Sequence, residues 1–187
     1  MQCDPLPVRN KVFYMGYLIP LYSCIGIMLV EALKQSTFMD MTEELWDDTY
    51  ALNVKSILLC SQAVLKDMLL RKSGKIINLS SAAARIGGSG ESIHYASTKG
   101  ALNMMTVGMS RELIEYGIIV NGVAPGIVES PFHDKFAPED KLIERLVASV
   151  PMKRAATPLE IAEVICFLAL DVANYILGET ITVSGGR

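Results

Sequence analysis

The sequence places a phenol and an ammonium one helical turn apart, at Tyr95 and Lys99 in the segment HYASTKGAL. Side chains four positions apart lie on the same face of a helix, with Cβ atoms about 5–6 Å apart. A free tyrosine has a pKa of about 10, and a neighbouring ammonium stabilises the phenolate and lowers that pKa. The pair is therefore suited to proton transfer, although an isolated pair with this spacing is more often an ordinary feature of a helix surface.

Helical and β-branched segments alternate around this pair. Helices are predicted over 42–72 (as one helix or two, with Thr42 as N-cap), over 95–116, near 138–149 and over 157–170. Strands are predicted over 75–81, 118–126 and 178–186, and residues 82–94 form a Gly- and Ser-rich loop. Such alternation predicts an α/β fold with a parallel sheet that is covered by helices on both faces.

In a sheet of this kind, ligands bind beyond the carboxyl ends of the strands. Ser80 and Ser81 end one predicted strand, and Pro125-Gly126 ends the next. Tyr95 and Lys99 begin the helix between these strands. All of these residues are therefore expected at one rim of the sheet, facing a cleft.

Size and composition exclude several other functions. The chain has 187 residues, of which 51% are hydrophobic, so one domain is expected. Its net charge of −3 argues against nonspecific electrostatic binding of nucleic acid. Cys3, Cys24, Cys60 and Cys166 are widely scattered, which predicts reduced thiols, no metal site and a cytoplasmic location. His94 and His133 are interpreted as loop residues.

An apolar stretch without formal charge occupies residues 12–30. Two buried strands, roughly 12–19 and 25–30 and broken near Pro20, explain it, while its length also approaches that of a membrane-spanning or interfacial segment. The domain prediction is a divergent apolar segment over 1–36 and a single α/β domain over 37–187.

Four motifs in order resemble the short-chain dehydrogenase/reductase family. They are ALNVKS, INLSS, YASTK and VNGVAPGIVES, followed by GETITVSGG at the position of the family's last strand. The resemblance extends from about Thr37 to Arg187 and implies a Rossmann-like parallel sheet. It also implies an oxidoreductase that transfers a hydride between NAD or NADP and an alcohol or carbonyl substrate.

The resemblance also implies a role for each matching residue. Tyr95 would be the acid/base, Lys99 its electrostatic partner and a ligand of the nicotinamide ribose, Ser81 the hydrogen-bond donor to the substrate oxygen, and Asn53 the holder of a relay water. The residues implied in cofactor binding are Tyr95, Lys99, Pro125, Gly126, Val128 and Ser130. The gap from Ser81 to Tyr95 is one position longer than is commonest in the family, so Ser80 is the alternative catalytic hydroxyl.

One departure from the family affects the cofactor site. The motif T-G-x-x-x-G-x-G, whose glycines let backbone amides approach a pyrophosphate, does not occur in the sequence. A truncated or otherwise altered chain with weak cofactor binding is therefore expected. The alternative function is a non-catalytic homologue that acts through helix-mediated assembly as a dimer or tetramer. An unpaired sheet edge is also expected, which residues 12–30 would partly cover with one or two strands.

Overall fold

The computed structural model describes residues 23–25, 35–88, 92–129 and 140–187. Within these ranges the strands are β1 (Ser23–Ile25), β2 (Gly74–Leu79), β3 (Ile118–Pro125) and β4 (Thr180–Val183). They pair in chain order and every pair is parallel. The α/β prediction is confirmed. β1 pairs with β2, with Ser23 opposite Ile76, so residues from 12–30 do border that edge, while the rest of that segment lies outside the described residues.

The helices alternate with these strands. They are α1 (Glu43–Tyr50), α2 (Ser56–Arg71), α3 (Ala83–Ile86), α4 (Ile93–Leu113), α5 (Asp140–Ala148) and α6 (Pro158–Ala169). Short 3₁₀ turns follow α4 at Ile114–Tyr116 and α6 at Asp171–Ala173. Among the described residues no helix is long and apolar enough to span a membrane.

The predicted helix over 42–72 is two α-helices joined by a π-helical turn at Ala51–Lys55. Thr42 is the N-cap, as expected, because its hydroxyl accepts a hydrogen bond from the Leu45 amide at 3.2 Å. The helical segment ends at Lys72, which adopts the left-handed conformation with φ of +51°, and Gly74 is the first residue of β2.

Two apolar clusters hold helices on both faces of the sheet. Because side chains alternate along a strand, Ile76 faces α2 and α4 while Ile77 faces α6. The first cluster contains Met68, Ile76, Leu113, Ile118 and Val120. The second contains Ile77, Val123, Ile161, Leu168, Ala169 and Ala173. The sheet is therefore doubly covered, and its carboxyl rim remains as the place for a site.

Two local predictions were wrong. Residues 82–94 were expected to be a loop, but α3 forms within them, and α4 begins at Ile93. His94 was expected in that loop, whereas it is a completely buried residue in the first turn of α4. His133 lies outside the described residues.

Candidate active site

The site is built where β2 ends and α4 begins. The backbone amide of Ser80 donates to the carbonyl of Val123 at 2.7 Å, and the amide of Ala82 donates to that of Pro125 at 2.8 Å. These bonds extend the pairing of β2 and β3 past the last residue of β2. They hold the two serines and the Pro125-Gly126 turn at the same rim, as predicted.

Tyr95 and Lys99 lie on one face of α4. The ammonium of Lys99 is 5.6 Å from the centre of the Tyr95 ring. It also donates a hydrogen bond of 3.0 Å to the backbone carbonyl of Leu79, the last residue of β2. Because an ammonium has three N–H donors, this bond leaves two for other acceptors.

Burial sets the charge behaviour of both groups. Lys99 is 2% exposed, and desolvation lowers the pKa of its ammonium to about 8. Burial raises the pKa of Tyr95 above its ordinary value of 10, and a side-chain hydrogen bond with Ser81 lowers it in part. The expectation that the neighbouring ammonium would acidify the phenol was therefore wrong in direction. Desolvation of the phenolate is the largest cause of this shift.

The two serines have different partners. The hydroxyl of Ser81 accepts a hydrogen bond from the Ala83 amide at 3.1 Å and is bonded to Tyr95. Ser80 is 4% exposed, and its hydroxyl lies 3.2 Å from the backbone carbonyl of Lys99. Since adjacent residues of an extended chain point in opposite directions, only one of the two can face the tyrosine. The structure brings Ser81, and not Ser80, to Tyr95, which favours Ser81 as the candidate hydroxyl.

Asn53 lies in the π-helical turn between α1 and α2, and α4 packs against this turn. The side chain of Asn53 is 5% exposed, and its amide nitrogen donates to the backbone carbonyl of Thr49 at 3.2 Å. π-helical turns within α-helices are frequent at functional sites. The sequence did not indicate this turn, because its residues continue the apolar pattern of a regular helix.

The end of β3 supplies backbone groups to the same rim. A Cβ on Gly126 would lie 2.8 Å from the Cα of Ser184, so this turn packs against the end of β4 without room for a side chain. Val128 forms a parallel bridge with Ala156, made by the carbonyl of Ile127 and the amide of Glu129. The amide and carbonyl of Val128 itself take no part in the bridge and point to its other side. Ser130 lies outside the described residues.

Two further sequence predictions concern the cysteines and metal binding. Cys60 and Cys166 are free thiols. Among the described residues there is no cluster of His, Cys, Asp or Glu that could hold a metal ion. The fold and the rim together define an α/β protein of the doubly wound class, with a Ser-Tyr-Lys group at the carboxyl ends of parallel strands.

Comparisons with known proteins agree with this class. A family described as "Enoyl-(Acyl carrier protein) reductase" matches residues 14–187. The 3-oxoacyl-[acyl-carrier-protein] reductase FabG of Staphylococcus aureus is 39% identical over 179 residues, which are 96% of this chain and 70% of that protein. An uncharacterized oxidoreductase of Escherichia coli, YgfF, is 35% identical over 82% of this chain and 63% of its own length.

A solved structure shares the fold. Acetoin dehydrogenase YohF of Salmonella typhimurium superposes with a TM-score of 0.74 at 28% identity, over 89% of this chain and 64% of that one. The chain thus spans less than two thirds of that structure. It belongs to the short-chain dehydrogenase/reductase family, a family of oxidoreductases. The family match begins at residue 14, upstream of the point where the sequence motifs become recognisable.

Proposed function

We propose that this chain transfers a hydride between a nicotinamide cofactor and an alcohol or carbonyl substrate, with Tyr95 as the acid/base. The observation that carries this proposal is the group formed by Ser81, Tyr95 and Lys99 at one rim. Two hydroxyls that are hydrogen-bonded to each other, beside a buried ammonium, can supply a hydrogen bond and a proton to a carbonyl oxygen as it becomes an alcohol.

Each side chain has a definite part in the proton transfer. Because burial raises the pKa of Tyr95, its hydroxyl holds its proton at neutral pH and can donate it to the developing alkoxide. Ser81 accepts from the Ala83 amide and is hydrogen-bonded to Tyr95, and a bound substrate oxygen would replace Tyr95 as the acceptor of the Ser81 proton. The remaining donors of Lys99 suit the hydroxyls of a ribose, and Asn53 would hold a relay water at the π-helical turn.

The residues present fit the nicotinamide half of a cofactor. The amide and carbonyl of Val128 face away from the bridge to Ala156, which leaves a donor and an acceptor for a carboxamide. Pro125, Gly126 and Ser130 are assigned to the same half by resemblance. When bound, the nicotinamide supplies or accepts the hydride. NAD and NADP are both candidates.

Cofactor binding is expected to be weak, because the T-G-x-x-x-G-x-G motif that contacts the pyrophosphate does not occur in the sequence. Phosphate contacts supply binding energy that fixes the reacting ring over the substrate. Calorimetric titration with NADH and with NADPH tests this point. A micromolar dissociation constant for either one would contradict it.

A dehydrogenase screen of this chain tests the reaction itself. The panel includes a 3-oxoacyl thioester and acetoin, because relatives are named for these substrates. Tyr95→Phe should lower kcat by about 10²–10⁴-fold, since it removes the proton donor. Tyr116→Phe is the matched control, because Tyr116 lies at the opposite end of α4. Equal activity in Tyr95→Phe and in the unmodified chain would refute the assignment.

A non-catalytic homologue that acts through assembly is the second candidate. Large apolar side chains on α2 and α4 are exposed, notably Leu59 at 55%, Met104 at 67% and Leu70 at 85%. Sedimentation of the purified chain, combined with the screen, separates the two functions. Assembly without activity in any assay would favour the second.

A further inference from the structure

Ser80 joins three elements of the fold at the point where the candidate site begins. Its backbone amide donates to Val123 of β3 at 2.7 Å. Its hydroxyl donates to the Oδ1 of Asn103 in α4 at 2.5 Å and lies 3.2 Å from the carbonyl of Lys99. The residue is 4% exposed. One short side chain therefore ties the end of β2 to α4, immediately before Ser81.

The helix partner of Ser80 lies on the face that carries the chemistry. Asn103 follows Lys99 by four residues and Tyr95 by eight, so the three side chains share one face of α4. A bond from Ser80 to this face limits both the rotation of α4 and its sliding along β2. Ser81, whose hydroxyl is bonded to Tyr95, is the next residue in the chain.

A second polar contact joins the same two elements farther from the rim. The amide nitrogen of Asn78 donates to the hydroxyl of Thr106 at 2.9 Å, and that hydroxyl donates to the carbonyl of Leu102. Asn78 and Thr106 are both buried. This contact also holds α4 against β2, but it involves neither Lys99 nor a neighbour of Ser81, and so it provides a matched control.

We propose that Ser80 and Asn103 form a positioning pair that sets α4 against the end of β2, so that Ser81 and Tyr95 meet in reactive geometry. The pair does not touch substrate or cofactor and acts through the residues beside it. Its kinetic consequence rests on the proposed hydride transfer. Its structural consequence, the Ser81–Tyr95 hydrogen bond, does not.

The kinetic test compares variants of the two polar contacts. Ser80→Ala and Asn103→Leu should each lower kcat about tenfold with KM little changed, because a misplacement of about 1 Å can cost up to about a hundredfold in rate. The double variant should lose no more than either single one, because both remove the same contact. Asn103→Asp, which keeps an acceptor for the Ser80 hydroxyl, should keep kcat close to that of the unmodified chain, in contrast to Asn103→Leu. Thr106→Val should leave kcat unchanged.

Crystal structures of Ser80→Ala and Thr106→Val provide a second measurement that does not depend on activity. The Ser81–Tyr95 hydrogen bond should be lost in the first variant and kept in the second. If that bond survives in Ser80→Ala, or if Thr106→Val lowers kcat as much as Ser80→Ala does, the positioning role is refuted. If the unmodified chain is inactive on every substrate, the proposed function fails, and the crystal structures alone decide the positioning role.

Discussion

The ammonium of Lys99 donates a hydrogen bond of 3.0 Å to the backbone carbonyl of Leu79, at the carboxyl end of β2. A side chain that is 2% exposed is thus held by a neutral carbonyl, and desolvation lowers the pKa of its ammonium to about 8. This contact places a cation at the sheet rim beside Tyr95. It also makes Lys99 costly for the stability of the fold at neutral pH.

The first prediction concerns this cost. The unfolded chain binds the Lys99 proton with an ordinary pKa of 10.5, so between about pH 8 and 10.5 it binds more protons than the folded chain, and stability rises with pH. The difference corresponds to about 3 kcal/mol at most. Lys99→Met should therefore raise the free energy of unfolding, relative to the unmodified chain, by more at pH 7 than at pH 10.5.

Urea unfolding of the unmodified chain and of Lys99→Met at several pH values measures this effect. The free energy of unfolding of Lys99→Met minus that of the unmodified chain should fall as the pH rises from about 8 to 10.5, because the cost of the buried Lys99 charge is lost over this range. Other titrating groups, including the buried Lys75, are common to both proteins and cancel in this difference. Lys66→Met, at an exposed position of α2, is the control. Parallel stability curves for Lys99→Met and the unmodified chain would contradict the prediction.

The second prediction concerns the phenol of Tyr95. Because burial raises its pKa above 10, Tyr95 should ionise later than an ordinary tyrosine. Above pH 10 the unfolded chain loses this proton first, so the folded state loses stability as the pH rises further. Ultraviolet titration of phenolate, taken as the difference between the unmodified chain and Tyr95→Phe, measures the ionisation. A midpoint below pH 10 in this difference spectrum would contradict the prediction.

The third prediction concerns the turn after β3. Gly126→Ala would place a Cβ 2.8 Å from the Cα of Ser184, a backbone atom that cannot move independently of β4. It should destabilise the fold by about 1–3 kcal/mol. Gly108→Ala is the matched control, since no heavy atom lies within 4 Å of its added Cβ and alanine favours a helix, so a gain of about 0.5–1 kcal/mol is expected. Urea denaturation measures both, and equal effects of the two substitutions would rule out the close approach.

The fourth prediction concerns the sheet edge. The three residues of β1 pair with Ile76, Ile77 and Asn78 of β2, so amides of Ser23–Ile25 that bond to β2 should exchange slowly with solvent. Hydrogen exchange read by mass spectrometry measures this, with the exposed turn at residues 38–40 as a rapidly exchanging reference. Rapid exchange at all three residues would show that β1 does not protect the edge of β2.

Local sequence was sufficient for most of the elements, because their ends are decided by neighbouring residues. Thr157 and Glu160 form a capping box with Pro158 at the first helical position, and α6 starts where this pattern predicts. Gly117 ends the helical segment in the left-handed conformation, with φ of +73°. The spacing of Tyr95 and Lys99 was likewise sufficient to place both on one face of a helix, since that relationship depends only on helix geometry.

Only the tertiary structure decided how these elements act on each other. Strand alternation and the contact with α4 turn Ser80 into the interior and bring Ser81 to Tyr95, a choice that the adjacent serines do not reveal in sequence. The direction of the Tyr95 pKa depends on burial, which is a property of the packed chain and which the spacing of Tyr95 and Lys99 does not reveal. The π-helical turn around Asn53 also arises where α4 packs against it. Sequence therefore determined which groups meet at the rim, and packing determined their orientation and their protonation.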